Sequence, residues 1–413
     1  MSLRTMWRRG RGILLSLVFT LALLEGGAYV LVSFLAHSPL TTSLFYTRPA
    51  VSAKEYEDYL RRRDPRLGWP PPEQIGSENY DRTGARPVPA FPQRVDACVS
   101  AYGDSFTYGS DVGNAEAWSA VLSGLLGCPV ANFGVGGYGT DQAFLRFEYN
   151  TNDRAPITFL GFFPPDVVRN LTRNAYFALG VFPTSFKPRF DFTDGRLTLL
   201  DMPQIPLAEL DHFLDAPRDF LADDKLLPGS RFGPVPIRFP YFLTLARAAT
   251  QTRVVSRLRG RPSWSDYLNP GHPSTSFDIL TGIFAQFGAE CRARNKHCAV
   301  LLLPTPQSYR YYQEHGRSAL QSVMAALDAH GIAYLELTPE FAARLGERPY
   351  CDLIADNSSC AGHFNAEGNA LLADIVKAYI AGKGWDVKQD AAVAPAGTAG
   401  GNAASGVRDQ GAR

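Results

Sequence analysis

The chain has almost no net charge: 41 Lys and Arg face 40 Asp and Glu over 413 residues, a formal balance of +1. That leaves no long-range field to gather nucleic acid, and none is expected as a partner. The six cysteines include no C-x-x-C pair and no His/Cys ligand spacing, so no metal is expected. No Walker lysine is present, and no G-x-G-x-x-G lies in the βα unit that a dinucleotide site requires. These gaps argue against nucleotides, and no cofactor is expected. G-x-S-x-G is missing as well, which argues against an α/β-hydrolase elbow. There is no internal repeat, and long apolar runs are limited to one.

That run is Ile13 to Ala36. As a helix it rises roughly 36 Å, enough for a hydrocarbon core of about 30 Å. A cleaved signal peptide is the competing reading, since Ile13 to Leu24 alone resembles its hydrophobic region. Against it, apolar character resumes after Glu25-Gly26-Gly27, and a cut after Ala36 would put bulky Phe34 at the minus-three position. An uncleaved transmembrane helix over 13–36 is therefore expected. Arg4, Arg8, Arg9 and Arg11 place residues 1–12 in the cytoplasm and everything after Ala36 on the periplasmic or other extracytoplasmic side. Glu25 sits within the span, where a carboxylate costs at least about 2.5–3.5 kcal/mol. Two readings stay open: a polar contact with a membrane partner's helix, or a protonated side chain tolerated in a single anchor.

Six cysteines in an exported body allow fifteen connectivities. Cys351 and Cys360, nine apart in a polar loop, are the expected bridge; Cys291 with Cys298 is the next candidate. Cys98 and Cys128 read as buried free thiols.

Residues 37–94 are rich in Pro, Arg and Tyr and read as a stalk. From Val95, strands alternate with helices, the pattern of a parallel α/β sheet. Strands are expected at 97–102, 130–133, 157–163, 299–303 and 333–337, and helices at 116–126, 140–149, 277–294, 319–330 and 366–380. Residues 171–275 interrupt this as an inserted subdomain positioned to line or cover a cleft, with a hairpin at Asp194-Gly195. The core therefore divides into 95–170 and 276–383. The tail, 384–413, is small and polar and is expected to be disordered.

Ser105 follows the first strand in Gly103-Asp104-Ser105-Phe106-Thr107-Tyr108-Gly109. The C-terminal edge of an open parallel sheet is where such folds bind ligands. A serine there becomes a nucleophile only if a base takes its proton. Among seven histidines, His363 alone stands in a loop leading directly into a helix after the last strand, with Asn365 as the expected cap. The second strand ends in Asn132-Phe133-Gly134-Val135-Gly136-Gly137-Tyr138-Gly139, whose glycines let backbone N–H groups face a developing oxyanion.

GDSFTYG, NFGVGGYGTDQ and GHFNAEGN, in that order, resemble the first, second and last blocks of the SGNH (GDSL-type) hydrolases. The resemblance covers 95–170 and 276–383. It implies a flavodoxin-like three-layer α/β/α sandwich with a parallel sheet, here carrying an inserted subdomain and a transmembrane helix. It also implies Ser105 as nucleophile, His363 as base, and the Ser105 and Gly137 amides as oxyanion donors. Asp104 matches the family's aspartate, and its expected role is to shape the turn.

Two positions depart from the pattern. Phe163 stands where the family has an oxyanion asparagine; Asn170 is the expected substitute and Asn174 a weaker one. Cys360 stands where the family has its acid, three residues before the histidine. Asp356, or else Asp352, reaches the ring if a Cys351–Cys360 bridge folds the loop back; otherwise a Ser–His dyad serves. The expected activity is that of a serine esterase forming an acyl-enzyme on an acylated glycan or lipid of the envelope. Two alternatives are acetyl transfer to a polysaccharide, and a domain that binds glycan or a partner without catalysis.

Overall fold

The computed structural model describes residues 3–38, 44–92, 96–385 and 387; the side chains of 3–6, 8 and 9 are not among them. The readings of Arg4, Arg8, Arg9 and of the tail beyond 387 lie outside the described residues.

Five short apolar runs build the central sheet. They are β1 (Val99–Tyr102), β2 (Val130–Asn132), β3 (Ile157–Phe162), β4 (His297–Leu302) and β5 (Ala333–Glu336). Every residue of β1, β2 and β3 is buried, as expected of parallel strands covered on both faces. The order is β2-β1-β3-β4-β5, parallel throughout. This is the flavodoxin-like order, with its reversal point between β1 and β3. The buried hydroxyls of Ser100 and Thr158 on adjacent strands satisfy each other at 2.8 Å.

Helices cover both faces, completing the three layers. Trp118–Leu126, Leu337–Leu345 and Ala366–Gly382 pack on one side through Trp118, Leu122, Phe341, Leu372 and Val376. Thr140–Tyr149, Ser276–Ala293 and Gln321–Ala329 cover the other through Phe144, Phe147, Ile283, Phe287 and Leu327. Helices Ser105–Tyr108, Pro306–His315 and Leu337–Leu345 add to those expected.

The stretch read as a stalk is packed against the body over its described part. Helix Ala53–Arg62 opens with a capping box between Ser52 and Glu55 and buries Tyr56. Tyr56, Leu67 and Tyr80 join the same core as Phe144 and Phe284. Buried Arg86 donates to the carbonyls of Tyr108 and Val112 and to Asn114 Oδ1. Composition suggested an extended spacer, but the tyrosines and Arg86 give this segment a buried face.

The insert forms the expected antiparallel hairpin, Arg189–Thr193 with Arg196–Leu200, turning through positive φ at Asp194 and Gly195. Its side chains Phe190, Met202, Leu210 and Phe213 enter the core shared with the stalk stretch. All six cysteines are paired: Cys98–Cys128, Cys291–Cys298 and Cys351–Cys360. The free-thiol reading of Cys98 and Cys128 is thus corrected. They flank neighbouring strands β1 and β2, whose parallel register brings their Cα atoms to 6.1 Å, within bridging range.

The N-terminal helix, Leu3–Ala36, includes a segment, Gly10–Ala36, long and apolar enough to cross a membrane. Glu25 lies on this helix. Its Oε2 accepts the backbone N–H of Tyr241 at 2.7 Å, at the start of insert helix Tyr241–Ala249.

Candidate active site

Ser105 begins a single turn of helix directly beyond β1, at the sheet's reversal point. The turn is closed by Asp104, whose Oδ1 accepts the N–H groups of Phe106 at 2.9 Å and Thr107 at 3.4 Å. Asp104 therefore shapes the turn, as anticipated. A Cβ at position 103 would lie 2.0 Å from Thr107 Oγ1, so only glycine lets the strand enter the turn this closely. Ser105 retains slight exposure, and its hydroxyl makes no hydrogen bond among the described residues.

His363 lies on β7 (Ala361–Phe364), which pairs antiparallel with β6 (Ile354–Asp356) in a separate two-stranded sheet. Its ring stands 4.8 Å from that of Phe106, the residue after Ser105. Phe106 is itself stacked on Phe163 at 4.1 Å and meets Phe364 edge-on at 5.3 Å. Phe163 thus helps clamp the turn that carries the serine.

The acid facing His363 is Asp111, which sequence reading missed. His363 Nδ1 is 3.1 Å from Asp111 Oδ2, at an angle short of a completed hydrogen bond. The His363 backbone N–H donates to the same oxygen at 2.8 Å. Burial alone would raise the Asp111 carboxyl, but the backbone N–H of His363 and the attraction of its nearby ring outweigh it and hold it below its usual range. A Cβ at position 362 would lie 2.7 Å from Asp111 Oδ2, so Gly362, at φ +94°, makes room for the carboxylate.

Asp356 is engaged elsewhere. Its carboxylate accepts from the hydroxyls of Ser358, at 2.6 Å, and Ser359, at 2.5 Å, in its own exposed turn. Those bonds draw its pKa down to about 2. Among the described residues it makes no bond to His363, and Asp352 faces Arg348 at 3.6 Å instead. The Cys351–Cys360 bridge does fold this loop back, as expected. However, the carboxylate that meets the ring comes from the loop after Ser105. The missed signal was an aspartate six residues beyond the serine, in the first block rather than the last.

The glycine-rich loop after β2 carries Gly137 at φ +79°. Trp69, from the stretch read as a stalk, lies over it and donates from Nε1 to the Gly136 carbonyl at 2.8 Å. Asn170 follows the short helix Asp166–Arg169 beyond β3 and is fully buried. Its Oδ1 accepts the Asp141 N–H at 3.2 Å, while its Nδ2 has no hydrogen-bond partner among the described residues. Such a buried donor costs about 1–3 kcal/mol unless something accepts from it. A Cβ on Gly139 would meet Asn170 Oδ1 at 2.6 Å, so this amide lies against the end of the glycine loop. Asn174 is spent: it caps helix Ala175–Leu179 through the Tyr176 N–H and donates to the Pro183 carbonyl.

Beneath the turn, Arg169 Nη1 is shared between Asp166 Oδ1 at 2.7 Å and Asp104 Oδ2 at 3.4 Å. It also donates to the Tyr138 carbonyl at 2.9 Å. Burial drives both carboxyls above their usual range, Asp166 far above it, because one guanidinium compensates two acids incompletely. Among the described residues no group of His, Cys, Asp and Glu is arranged to hold a metal ion.

No family profile matches this sequence, and no curated relative matches it. Among solved structures, the chain is similar to an acetylxylan esterase from Geobacillus stearothermophilus. That match has 11% identity over 71% of this chain and 98% of the other, with TM-score 0.35. It is also similar to a protein from Desulfitobacterium hafniense DCB-2 described as lipolytic and of the G-D-S-L family. Here identity is 12% over 68% and 97% of the two chains, with TM-score 0.31. A further acetyl xylan esterase matches at 10% identity, 68% and 98% coverage and TM-score 0.36.

Proposed function

We propose that the chain is a serine esterase that works through an acyl-enzyme, with Ser105 as nucleophile, His363 as general base and Asp111 orienting the imidazole. The observation that carries this reading is the Asp111–His363 contact at 3.1 Å, beside the turn that presents Ser105 at the sheet's reversal point. With Nδ1 turned toward Asp111, Nε2 is the nitrogen that takes the serine proton. Catalytic hydrogen bonds are commonly long before substrate arrives, so the unbonded Ser105 hydroxyl is compatible with this role. The alkoxide attacks the ester carbonyl. The new oxyanion is received by the Ser105 and Gly137 amides and by the Asn170 Nδ2, whose lack of a partner supports that assignment. The alcohol leaves with the proton that His363 held, and a second nucleophile releases the acyl group.

Water as that nucleophile gives hydrolysis; a sugar hydroxyl gives acyl transfer. The substrate class proposed is an acylated glycan or lipid of the cell envelope. Anchoring by the N-terminal helix with the body on the extracytoplasmic side is supported by the span's length and by three disulfides, which persist in oxidising compartments. An alkaline phosphatase fusion after residue 45 tests that orientation, and an inactive fusion overturns it.

The chemistry is tested with the full chain in detergent, comparing p-nitrophenyl acetate turnover by wild type and Ser105→Ala. Loss of turnover, together with loss of fluorophosphonate labelling, is expected. Equal rates would leave the non-catalytic binding reading in its place. Mass analysis of candidate oligosaccharides incubated with an acyl donor separates transfer from hydrolysis. Free acid as the sole product for every acceptor counts against transfer.

A further inference from the structure

The insert carries a stretch whose charge and exposure differ from the rest of the body. Between Asp224 and Asp266 there is no acidic residue, while arginine occurs at 231, 238, 247, 253, 257, 259 and 261. Arg238, Arg247, Arg257 and Arg259 are exposed. Interleaved with them are exposed apolar side chains on or beside helices Tyr241–Ala249 and Thr252–Leu258: Phe239 at 73%, Phe242 at 45%, Leu243 at 42% and Leu258 at 79%.

This surface is fixed to the N-terminal helix. Glu25 accepts the Tyr241 N–H, Tyr29 packs on Tyr241 at 5.0 Å, and Val32 shares a buried cluster with Phe45, Val235 and Ala248. Those anchoring positions, 25, 29 and 32, fall on one helical stripe with buried Ala28. Val30 and Phe34 lie off that stripe and stay 66% and 69% exposed. The apolar run that forms the span continues to Ala36, so Glu25 lies inside the span, below its far boundary. The start of helix Tyr241–Ala249, bonded to Glu25, has to sit at the same depth, so the side chains beside it meet the bilayer.

We propose that residues 237–259 form a docking surface for an anionic phospholipid bilayer. In this arrangement Phe239 and Phe242 enter the acyl region. The exposed arginines extend their stems toward the headgroups, where each basic residue is attracted by anionic lipid. Glu25 is then a docking residue, because its carboxylate receives the first N–H of a helix whose positive end faces it. The body would thereby be held in a fixed pose against the leaflet, with its site at the membrane surface. This inference rests on the N-terminal helix being a membrane span.

The test uses the full chain in liposomes with an environment-sensitive fluorophore on a single added cysteine. Phe242→Cys reports the surface, Val18→Cys the span, and Leu207→Cys, an exposed insert position away from these helices, serves as control. Acyl-chain doxyl lipids are expected to remove most of the emission at 18 and 242 and little at 207, with more loss at 242 when phosphatidylglycerol is present. Quenching at 18 with 242 no different from 207 overturns the docking but keeps the span. No quenching at 18 overturns the span itself. Equal loss at 242 with and without phosphatidylglycerol overturns the headgroup pairing. A blue shift at 242 that grows with protein-to-lipid ratio and resists doxyl quenching assigns the surface to a second copy of the chain and overturns the proposal.

Discussion

Asp111 and His363, 252 positions apart in the chain, meet through two contacts to one carboxylate oxygen: the backbone N–H at 2.8 Å and ring Nδ1 at 3.1 Å. The backbone bond fixes where the histidine stands, and the ring contact sets how its imidazole faces. Asp111→Asn keeps an acceptor for the backbone but allows the wrong tautomer of the ring. kcat is expected to fall by up to about 10⁴-fold, as for other orienting aspartates. Asp356→Asn, by contrast, is expected to leave kcat unchanged, since its partners are Ser358 and Ser359. Steady-state kinetics on p-nitrophenyl acetate decides between them. The reverse pattern would return the orienting role to Asp356.

Asn170 offers a second kinetic test. If its unpartnered amide receives the oxyanion, Asn170→Ala lowers kcat by about 10²–10³ with KM nearly unchanged. Asn174→Ala is the contrast: it removes a helix cap and is expected to lower stability with kcat retained. An Asn170→Ala protein that stays folded with wild-type kcat removes the amide from the mechanism.

What the sequence reveals here follows from what is local. The five strands were legible because buried parallel strands read as continuous apolar runs between turns. Ser105 and His363 were legible because each sits in a short motif with its own turn and cap. Asp111 was not, because its function comes from a contact that forms only when β7 folds back beside the serine turn. Arg86 was hidden for a similar reason. In a Pro- and Arg-rich stretch it reads as a solvated charge, yet it is buried against four groups of the loop carrying Asp111.

Arg86→Ala would leave the buried carbonyl of Gly109 and the part-buried carbonyls of Val112 and Tyr108 short of a donor, Tyr108 keeping only Asn132 Nδ2. A loss of about 2–4 kcal/mol is expected, given about 1–3 kcal/mol for each buried polar group left unsatisfied and partial relaxation to water. Chemical denaturation of the detergent-solubilised chain measures it. A loss under half a kcal/mol, on the order of a surface substitution, would mean that residues 44–92 do not depend on this anchor.

The Asp104–Arg169–Asp166 cluster predicts a pH dependence of stability with a definite sign. Burial raises the folded-state pKa of Asp166 well above its ordinary value, so the folded form holds its proton more tightly than the unfolded chain. The stability this contributes is complete below the unfolded value near 3.9 and is lost as pH rises through the folded one. Asp166→Asn carries no such titration. The melting temperature of the variant minus that of wild type is therefore expected to increase from mildly acidic to mildly alkaline buffer. Asp104 titrates in both proteins and largely cancels in the difference. A difference that stays flat or falls over the same range would show that the 2.7 Å contact with Arg169 keeps Asp166 ionised in the folded chain at no cost in stability.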